Sequence, residues 1–467
     1  MESELGRRIA QTAVESLPFE PLADQLRLIM GASAFAAGEG GARDVFVLNG
    51  YAGTGKTSVM GAVIRAMDAM KRRVVVLAPT GRAAKVSSQL SSHAASTIHR
   101  RIFRPDPSDA TGRLWIPAKN ELTDTLFVVD EASLIADRPQ AGQHSLLFQL
   151  LRYVYTAPGC RMLLMGDEAQ LPPVGQETST AMNLDRLRGL GLNPLHYSLD
   201  VPVRQAAGSG IVHNATLMRQ FLFTPPPDGM PHLELSGYPE VTAISSADLS
   251  DALADSYASV GMDETLIITR SNYRANDFNK AVRNMVMFAE EPIERGDRLV
   301  ISKNDYYWGK KNRAGGLIAN GEMAEVNWVG KTEKVYGRFF TDVELRLSDG
   351  RVINANVMLR SLVCEGPAIP RQEMERFYNV VAANYEGEIT EKMKAVQEDP
   401  YYNALQAKYA YCVTCHKAQG GQWRHVYIDM GGIAPDTIGP EFYRWIYTAI
   451  TRATERVFFV NPGVPCV

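Results

Sequence analysis

The chain has little cysteine and no surplus of charge. Five cysteines among 467 residues, odd in number and irregularly spaced, do not make a disulfide framework and fit reduced thiols in a cytoplasmic setting. No run of about 18 apolar residues occurs, so no helix can span a membrane, and the N-terminus lacks the apolar stretch of a secretory signal. Repeats and low-complexity tracts are missing too, which argues against a solenoid. A net charge of −3 and a pI near 6.3 exclude a wholly basic nucleic-acid binder, for which a pI above about 9 is usual. Any such contact must be local. Residues 65–104 offer one place, with nine Lys/Arg against the single acid Asp68. A solvated helix face explains Lys71-Arg72-Arg73, but less well the excess across two further loops.

Hydrophobic and charged contents of 45% and 22% are those of a globular protein, and the length allows about two to four domains. The most specific signal is Gly50-Tyr51-Ala52-Gly53-Thr54-Gly55-Lys56-Thr57. It follows the apolar run 45–48 and opens a helix-compatible stretch from Ser58, the strand–loop–helix setting of a P-loop. Gly50, Gly53, Thr54, Gly55, Thr57 and Ser58 would wrap phosphate oxygens with backbone N–H groups at the positive end of a helix. Lys56 would reach the β/γ oxygens, and Thr57 would hold Mg²⁺. ATP or GTP with Mg²⁺ is the implied ligand pair.

Strand-like runs recur at 45–48, 74–78, 126–129 and 162–165, separated by helical lengths. This pattern predicts an α/β fold with a parallel sheet, whose ligands lie at the carboxyl ends of its strands. The P-loop, Pro79-Thr80-Gly81-Arg82, Asp130-Glu131 and Gly166-Asp167 should therefore share one rim. Behind a buried strand, Asp130 would bind Mg²⁺ and Glu131 would position and deprotonate a water. Gln170 suits the γ-phosphate or that water. Residues 101–119 read as a hairpin-sized insertion, in which Phe103 and Trp115 are either packed or exposed wedges. From Gly296 to about Gly350, short strands with turns suggest a small β barrel. An acidic helix-favouring stretch follows, and the α/β pattern then returns at 409–414, 426–428 and 457–460.

Gly166-Asp167-Glu168-Ala169-Gln170-Leu171-Pro172-Pro173-Val174, after a P-loop and Asp130-Glu131-Ala132-Ser133, resembles superfamily 1 helicases, in particular the RecD/Dda branch with its UvrD-like C-terminal domain. Further segments match that family in order. Residues 19–25 resemble the Q motif, which implies that Gln25 reads adenine and selects ATP. Residues 78–84 resemble motif Ia and 96–99 motif Ib. Val203-Arg204-Gln205 resembles motif IV and Ile268-Thr269-Arg270-Ser271-Asn272 the strand after it. Residues 414–420 resemble motif V, and Tyr447-Thr448-Ala449-Ile450-Thr451-Arg452-Ala453 motif VI.

The resemblance implies two RecA-like P-loop NTPase lobes, with the small hairpin inserted in the first and an SH3-like β barrel in the second. The expected divisions are 1–100 with 119–183 for domain 1A, 101–118 for the 1B pin, 184–300 with 405–467 for domain 2A, and 301–404 for domain 2B. Arg204 and Arg452 would reach the γ-phosphate from the second lobe, Gly420 would join the nucleotide site, and catalysis would fall to Lys56, Glu131, Gln170 and these two arginines. Pro79, Thr80, Arg82, Thr97, His99, Thr414, His416 and Lys417 would contact single-stranded DNA, although capping or turn bonding is the competing explanation for each loop residue. The implied function is an ATP-dependent DNA helicase moving 5′→3′ on single strands and at single/double-strand junctions, with replication or recombination proteins as possible partners. A translocase that displaces proteins with little unwinding and a non-motor regulatory ATPase are the alternatives. The 18 residues ahead of Phe19 resemble the compact Dda type.

Two signals stay outside this scheme. Cys412-Val413-Thr414-Cys415-His416 matches a haem-attachment pattern but falls inside motif V on an expected buried strand. Tyr306, Tyr307 and Trp308 either stack on bases or pack the barrel.

Overall fold

The computed structural model describes residues 3–106, 115–137, 144–203, 208–227, 229–312, 317–433 and 437–467. Helix α1 (Ala23–Ala36) leads to β1 (Asp44–Gly50), the P-loop and α2 (Lys56–Ala69). Next come β2 (Arg73–Ala78), α3 (Gly81–Ser91), β3 (Ala95–Thr97), the short hairpin β4 (Phe103–Pro105) and β5 (Trp115–Pro117), then β6 (Thr125–Val129), β7 (Arg161–Gly166) and β8 (Asn193–Leu199). Six of these strands form a parallel sheet in the order β3-β2-β6-β7-β1-β8. β1 and β6 are buried at every position, which is why they read as unbroken apolar runs rather than alternating ones. Parallel register brings Asn49 beside Gly166 and Leu77 beside Val129. The four polar segments after β1, β2, β6 and β7 thus open on one rim.

A second parallel sheet begins with β9 (Val241–Ile244) and β10 (Thr265–Thr269). The chain then leaves it for an antiparallel module: β11 (Arg298–Ile301), β12 (Met323–Val335), β13 (Arg338–Leu347), β14 (Val352–Met358), helices α4 (Arg371–Ala382) and α5 (Ile389–Glu398), and β15 (Ala407–Tyr409). The sheet order is β14-β13-β12-β11-β15. Leu405 N–H donates to the Asn356 carbonyl at 2.7 Å, and Met358 N–H donates to the Leu405 carbonyl at 3.0 Å. Where the strand spacing suggested a small β barrel, the chain forms a five-stranded antiparallel sheet whose end strand β14 is bridged to the segment entering β15. β15 and all of β11 but its last residue, Ile301, lie outside the 301–404 interval. The chain returns through β16 (Cys412–Thr414), β17 (Trp423–Asp429), α6 (Pro440–Ile450) and β18 (Ala453–Val460), completing the order β16-β10-β17-β18-β9. Leu299 and Val326 of the antiparallel module share one apolar core with Ile267, Cys412 and Tyr427 of that sheet, so module and second lobe are packed as one body.

Helices α4 and α5 sit on the long β12–β13 hairpin around Phe340, Phe377, Val381 and Val396. Their anchor is Asp399, 3% exposed. It accepts the hydroxyls of Tyr336 at 2.9 Å and Tyr385 at 2.8 Å, and the amides of Tyr401 and Tyr402 at 2.8 and 2.7 Å. Removing this acceptor strands four half-buried donors, at a cost on the order of 2–3 kcal/mol. Asp399→Ala should therefore speed amide exchange across 371–398; protection equal to that of the unaltered protein would refute the anchoring role.

Candidate nucleotide and nucleic-acid site

The cradle starts where β1 ends. Gly53 and Gly55 adopt φ of 74° and 78°, a left-handed region that favours glycine. A Cβ on Gly55 would also stand 2.9 Å from Gln25 Nε2. Lys56 Nζ donates to the carbonyls of Gly50 at 3.0 Å and Gly166 at 3.1 Å, so its ammonium lies between the P-loop and the end of β7. Gln25 is buried against the same loop. Its Nε2 donates to the Thr54 carbonyl at 2.9 Å, while its Oε1 accepts Leu22 N–H at 2.9 Å. In this arrangement both ends of the amide are engaged by the protein itself. Val203 N–H bonds the Gly53 carbonyl at 2.9 Å; Arg204, the expected motif IV arginine, lies outside the described residues.

Asp130 is 5% exposed. It accepts Ser87 Oγ at 2.5 Å and Glu131 N–H at 2.8 Å. Burial, reinforced by the Glu131 charge and opposed by Lys56, pushes its carboxyl up to about 6. Ser87, on α3, is a site residue that sequence reasoning missed, since a lone serine in a helix carries no signal. Glu131 sits at φ 51°. Among the described residues, neither its buried Oε2 nor the buried Oε1 of Gln170 has a hydrogen-bond partner. Orphaned buried acceptors are costly in a native protein, and these two follow directly on Asp130 and, three residues on, Asp167. Glycine N–H groups, Lys56, a buried Asp130 and these two acceptors fit a nucleotide triphosphate with its divalent ion and a water.

The second lobe reaches this rim through α6. Tyr447 Oη accepts Ala52 N–H at 2.9 Å and donates to Asp167 Oδ2 at 2.5 Å. Thr448 Oγ1 accepts Leu171 N–H at 2.8 Å, and Gln419 Nε2 donates to the Leu171 carbonyl at 2.7 Å. Arg444 donates to the carbonyls of Glu168 and Gln170. Burial raises the Asp167 carboxyl, with Lys56 and the Tyr447 hydroxyl pulling the other way. Arg452, the expected motif VI arginine, is 4% exposed and bonded within its own lobe, to Thr448 O at 3.1 Å, Gly421 O at 3.2 Å and Thr451 Oγ1 at 3.1 Å. The sequence marked 447–453 as one motif; only the geometry singles out Tyr447, Thr448 and Arg444.

The loops expected on nucleic acid meet at a second seam. A Cβ on Gly420, at φ 72°, would come within 2.9 Å of Ala83 Cβ and 3.1 Å of Thr80 Oγ1, so motif V lies directly against motif Ia. Arg82 crosses the seam, lying 3.8 Å over the Trp423 ring and donating to the Gln422 carbonyl at 2.8 Å. Thr80 and Thr97 accept Ala83 N–H and Arg100 N–H as helix caps, each at 3.2 Å. A hydroxyl proton remains on each for a phosphate. The His99 ring stacks 5.8 Å from Phe103. Burial, with Lys408 beside it, brings Lys417 down to about 8.

Trp115 lies 5.5 Å from the Tyr306 ring, so the hairpin touches the segment that leads into the antiparallel module, and Trp308 packs with its Nε1 on the Asn403 carbonyl at 2.8 Å. Cys412 and Cys415 are each 1% exposed, and burial pushes the Cys415 thiol to about 12.

The raised Asp130 carboxyl has a consequence for ligand-free stability. An acid whose folded pKa lies above its unfolded value favours the native state only while protonated. The penalty is absent below about pH 4, grows through pH 6 and is complete above it. In Mg²⁺-free buffer, Asp130→Asn should stabilise the protein by about 1–2 kcal/mol at pH 8 and not at pH 4. Thermal melts at both values check this, and equal effects would contradict it.

Comparison with known proteins agrees with this geometry. The family profile described as an AAA domain matches residues 32–200, and that of the UvrD-like helicase C-terminal domain matches residues 409–460. The chain is 25% identical over 419 residues to the ATP-dependent RecD2 DNA helicase of Deinococcus radiodurans, covering 88% of this chain and 46% of that protein. It is 33% identical over 139 residues to the ATP-dependent DNA helicase dda of Enterobacteria phage T4, covering 29% of each. It therefore spans about half the length of the RecD2 relative. A Pif1 helicase from Bacteroides, solved with ADP-AlF3 and single-stranded DNA, aligns over 94% of this chain and 92% of its own at 16% identity and a TM-score of 0.47. One family match falls on each lobe, in order, and the chain is similar in sequence to the RecD2 and dda helicases.

Proposed function

We infer that the protein is an ATP-dependent DNA helicase that moves along single-stranded DNA, by family resemblance 5′→3′, and opens duplex at a junction. The observation that carries this reading is the facing of two sets of groups. The P-loop, Asp130, Glu131 and Gln170 of one lobe lie across a seam from α6 of the other, which holds Tyr447, Thr448 and, just beyond its end, Arg452. A regulatory ATPase would not need the second set.

The P-loop amides and Lys56 would hold the phosphates, with Thr57 and Asp130 on Mg²⁺. That ion supplies charge neutralisation of the phosphoryl oxygens. Glu131, whose Oε2 has no partner among the described residues, would accept the proton of a water that Gln170 orients. Gln25 would have to exchange its present bonds to read adenine. Arg452 would have to leave the carbonyls of Thr448 and Gly421 to meet the γ-phosphate; such arginines contribute about 10³–10⁵ in rate.

Thr80, Thr97, Thr414 and Lys417 would hold backbone phosphates, which sets register without reading sequence, with Pro79, Arg82, His99 and His416 around them. Motif Ia lies on the first lobe and motif V on the second, so alternation of grip between them moves the strand as the seam opens and closes. The β4–β5 hairpin, braced on the SH3-like barrel through Trp115 and Tyr306, would part the duplex against a stacking cost of about 1.4 kcal/mol per step. Replication or recombination proteins in the cytoplasm are the fitting partners.

Unwinding of 5′-tailed, 3′-tailed and RNA-tailed duplexes with ATP tests the reading. Strand separation from the 5′-DNA tail is expected; exclusive use of a 3′ tail would reverse the polarity, and no unwinding of any substrate would leave a translocase. Glu131→Gln should lower hydrolysis by about 10²–10⁴ while ATP and DNA still bind. Collapse of ATP affinity instead would make Glu131 structural.

A further inference from the structure

We propose that the Tyr447 hydroxyl makes docking of the second lobe depend on what occupies the P-loop, as a positioning residue through which the phosphate cradle and α6 sense one another. The proposal rests on the ATPase reading above and names the residue that couples the two lobes.

Tyr447 is 1% exposed. Its oxygen accepts from Ala52 N–H and donates to Asp167 Oδ2. The two partners belong to the first lobe but to different loops. Ala52 lies inside the phosphate cradle, and Asp167 opens the loop that carries Gln170. A phenol has one proton to give, and both burial and the Asp167 carboxylate hold that proton on the oxygen. Among the described residues, no other second-lobe side chain forms a hydrogen bond with the P-loop backbone.

The neighbouring contacts make α6 move as one piece. Thr448 takes the Leu171 amide, Arg444 holds the carbonyls of Glu168 and Gln170, and Arg452 follows the helix end on bonds to Thr448 O, Gly421 O and Thr451 Oγ1. Lys56 donates to the carbonyls of Gly50 and Gly166, from which the two loops that Tyr447 touches depart. An incoming triphosphate competes for Lys56 and for the P-loop amides. Ala52 and Asp167 then shift relative to each other, and a single oxygen bonded to both cannot keep each bond unchanged. Helix α6 must reseat, carrying Arg452 and, through Gln419 and the Leu171 carbonyl, motif V. Nucleotide and strand thereby exchange free energy through one hydroxyl, and the exchange is reciprocal.

The test uses the full chain. The affinity of a fluorescein-labelled oligo-dT is measured with and without AMP-PNP and Mg²⁺, and the affinity of a fluorescent ATP analogue with and without oligo-dT. In the unaltered protein both ratios should agree and differ from one. Tyr447→Phe should bring both ratios to within about twofold of one while each ligand alone binds within about threefold of its original affinity. A merely structural tyrosine would weaken the ligands individually without erasing the ratio. Unchanged ratios in Tyr447→Phe overturn the proposal. If that variant loses its cooperative melt, Tyr447→Phe/Asp167→Asn leaves no unpaired buried carboxylate and yields the same readout. A native protein that binds no nucleotide overturns the ATPase reading itself; one that binds both ligands with ratios of one overturns only the coupling.

Discussion

Leu171 belongs to the first lobe by sequence and to the second by packing. With Ala169 it is buried in the core built by α6, β17 and β18, while its amide and carbonyl are held by Thr448 and Gln419. The loop after β7 is thus a plug seated in the opposite lobe. The rest of the arrangement follows from this constraint. The same loop begins at Asp167, beside Lys56, and passes through Gln170, whose buried Oε1 has no partner among the described residues. Apolar burial supplies an attraction with no preferred direction, whereas the hydrogen bonds around it are directional and can be exchanged. A seam of this kind can stay closed in more than one register.

The electrostatics of the seam point the same way. Asp130, Asp167 and Tyr447 are all buried, and burial raises each of them toward its neutral form. Lys56 bears on both carboxylates and opposes the shift. Among the described residues, Glu131 Oε2 and Gln170 Oε1 have no hydrogen-bond partner. Such a cluster of uncompensated acceptors is a stability cost that a chain keeps at sites meant for a ligand. At the other end of the seam, Gly420 lets motif V approach Thr80 and Ala83 more closely than any side chain would permit.

Much of this was readable in the amino-acid order. Unbroken apolar runs at β1, β2, β6 and β7 foretold the parallel sheet, and the polar residues after them foretold a common rim, because parallel strands put all their carboxyl ends on one side. The turn-rich stretch from Gly296 foretold an antiparallel strand module. What the order could not convey is partnership between distant residues. Ser87 meets Asp130 only after α3 folds back over β2, and Tyr447 meets Ala52, nearly 400 positions away in the chain, only when the two lobes dock. Periodicity is blind to such pairs. Nor could spacing say that Gln25 and Arg452 would be engaged by the protein's own backbone, since the alternatives differ by rotamer and hinge rather than by composition. Arg82 illustrates the point: its place in motif Ia suggested a phosphate, and its guanidinium lies on Trp423 and the Gln422 carbonyl.

The central claim is that hydrolysis in one lobe and grip on a polynucleotide by both are a single process across this seam. Steady-state phosphate release by the unaltered protein, measured with and without saturating oligo-dT, tests it most directly. The account predicts acceleration of at least about tenfold by the oligonucleotide, the scale of a coupling free energy of 1.4 kcal/mol or more. Phosphate release at the same rate in both conditions would contradict it.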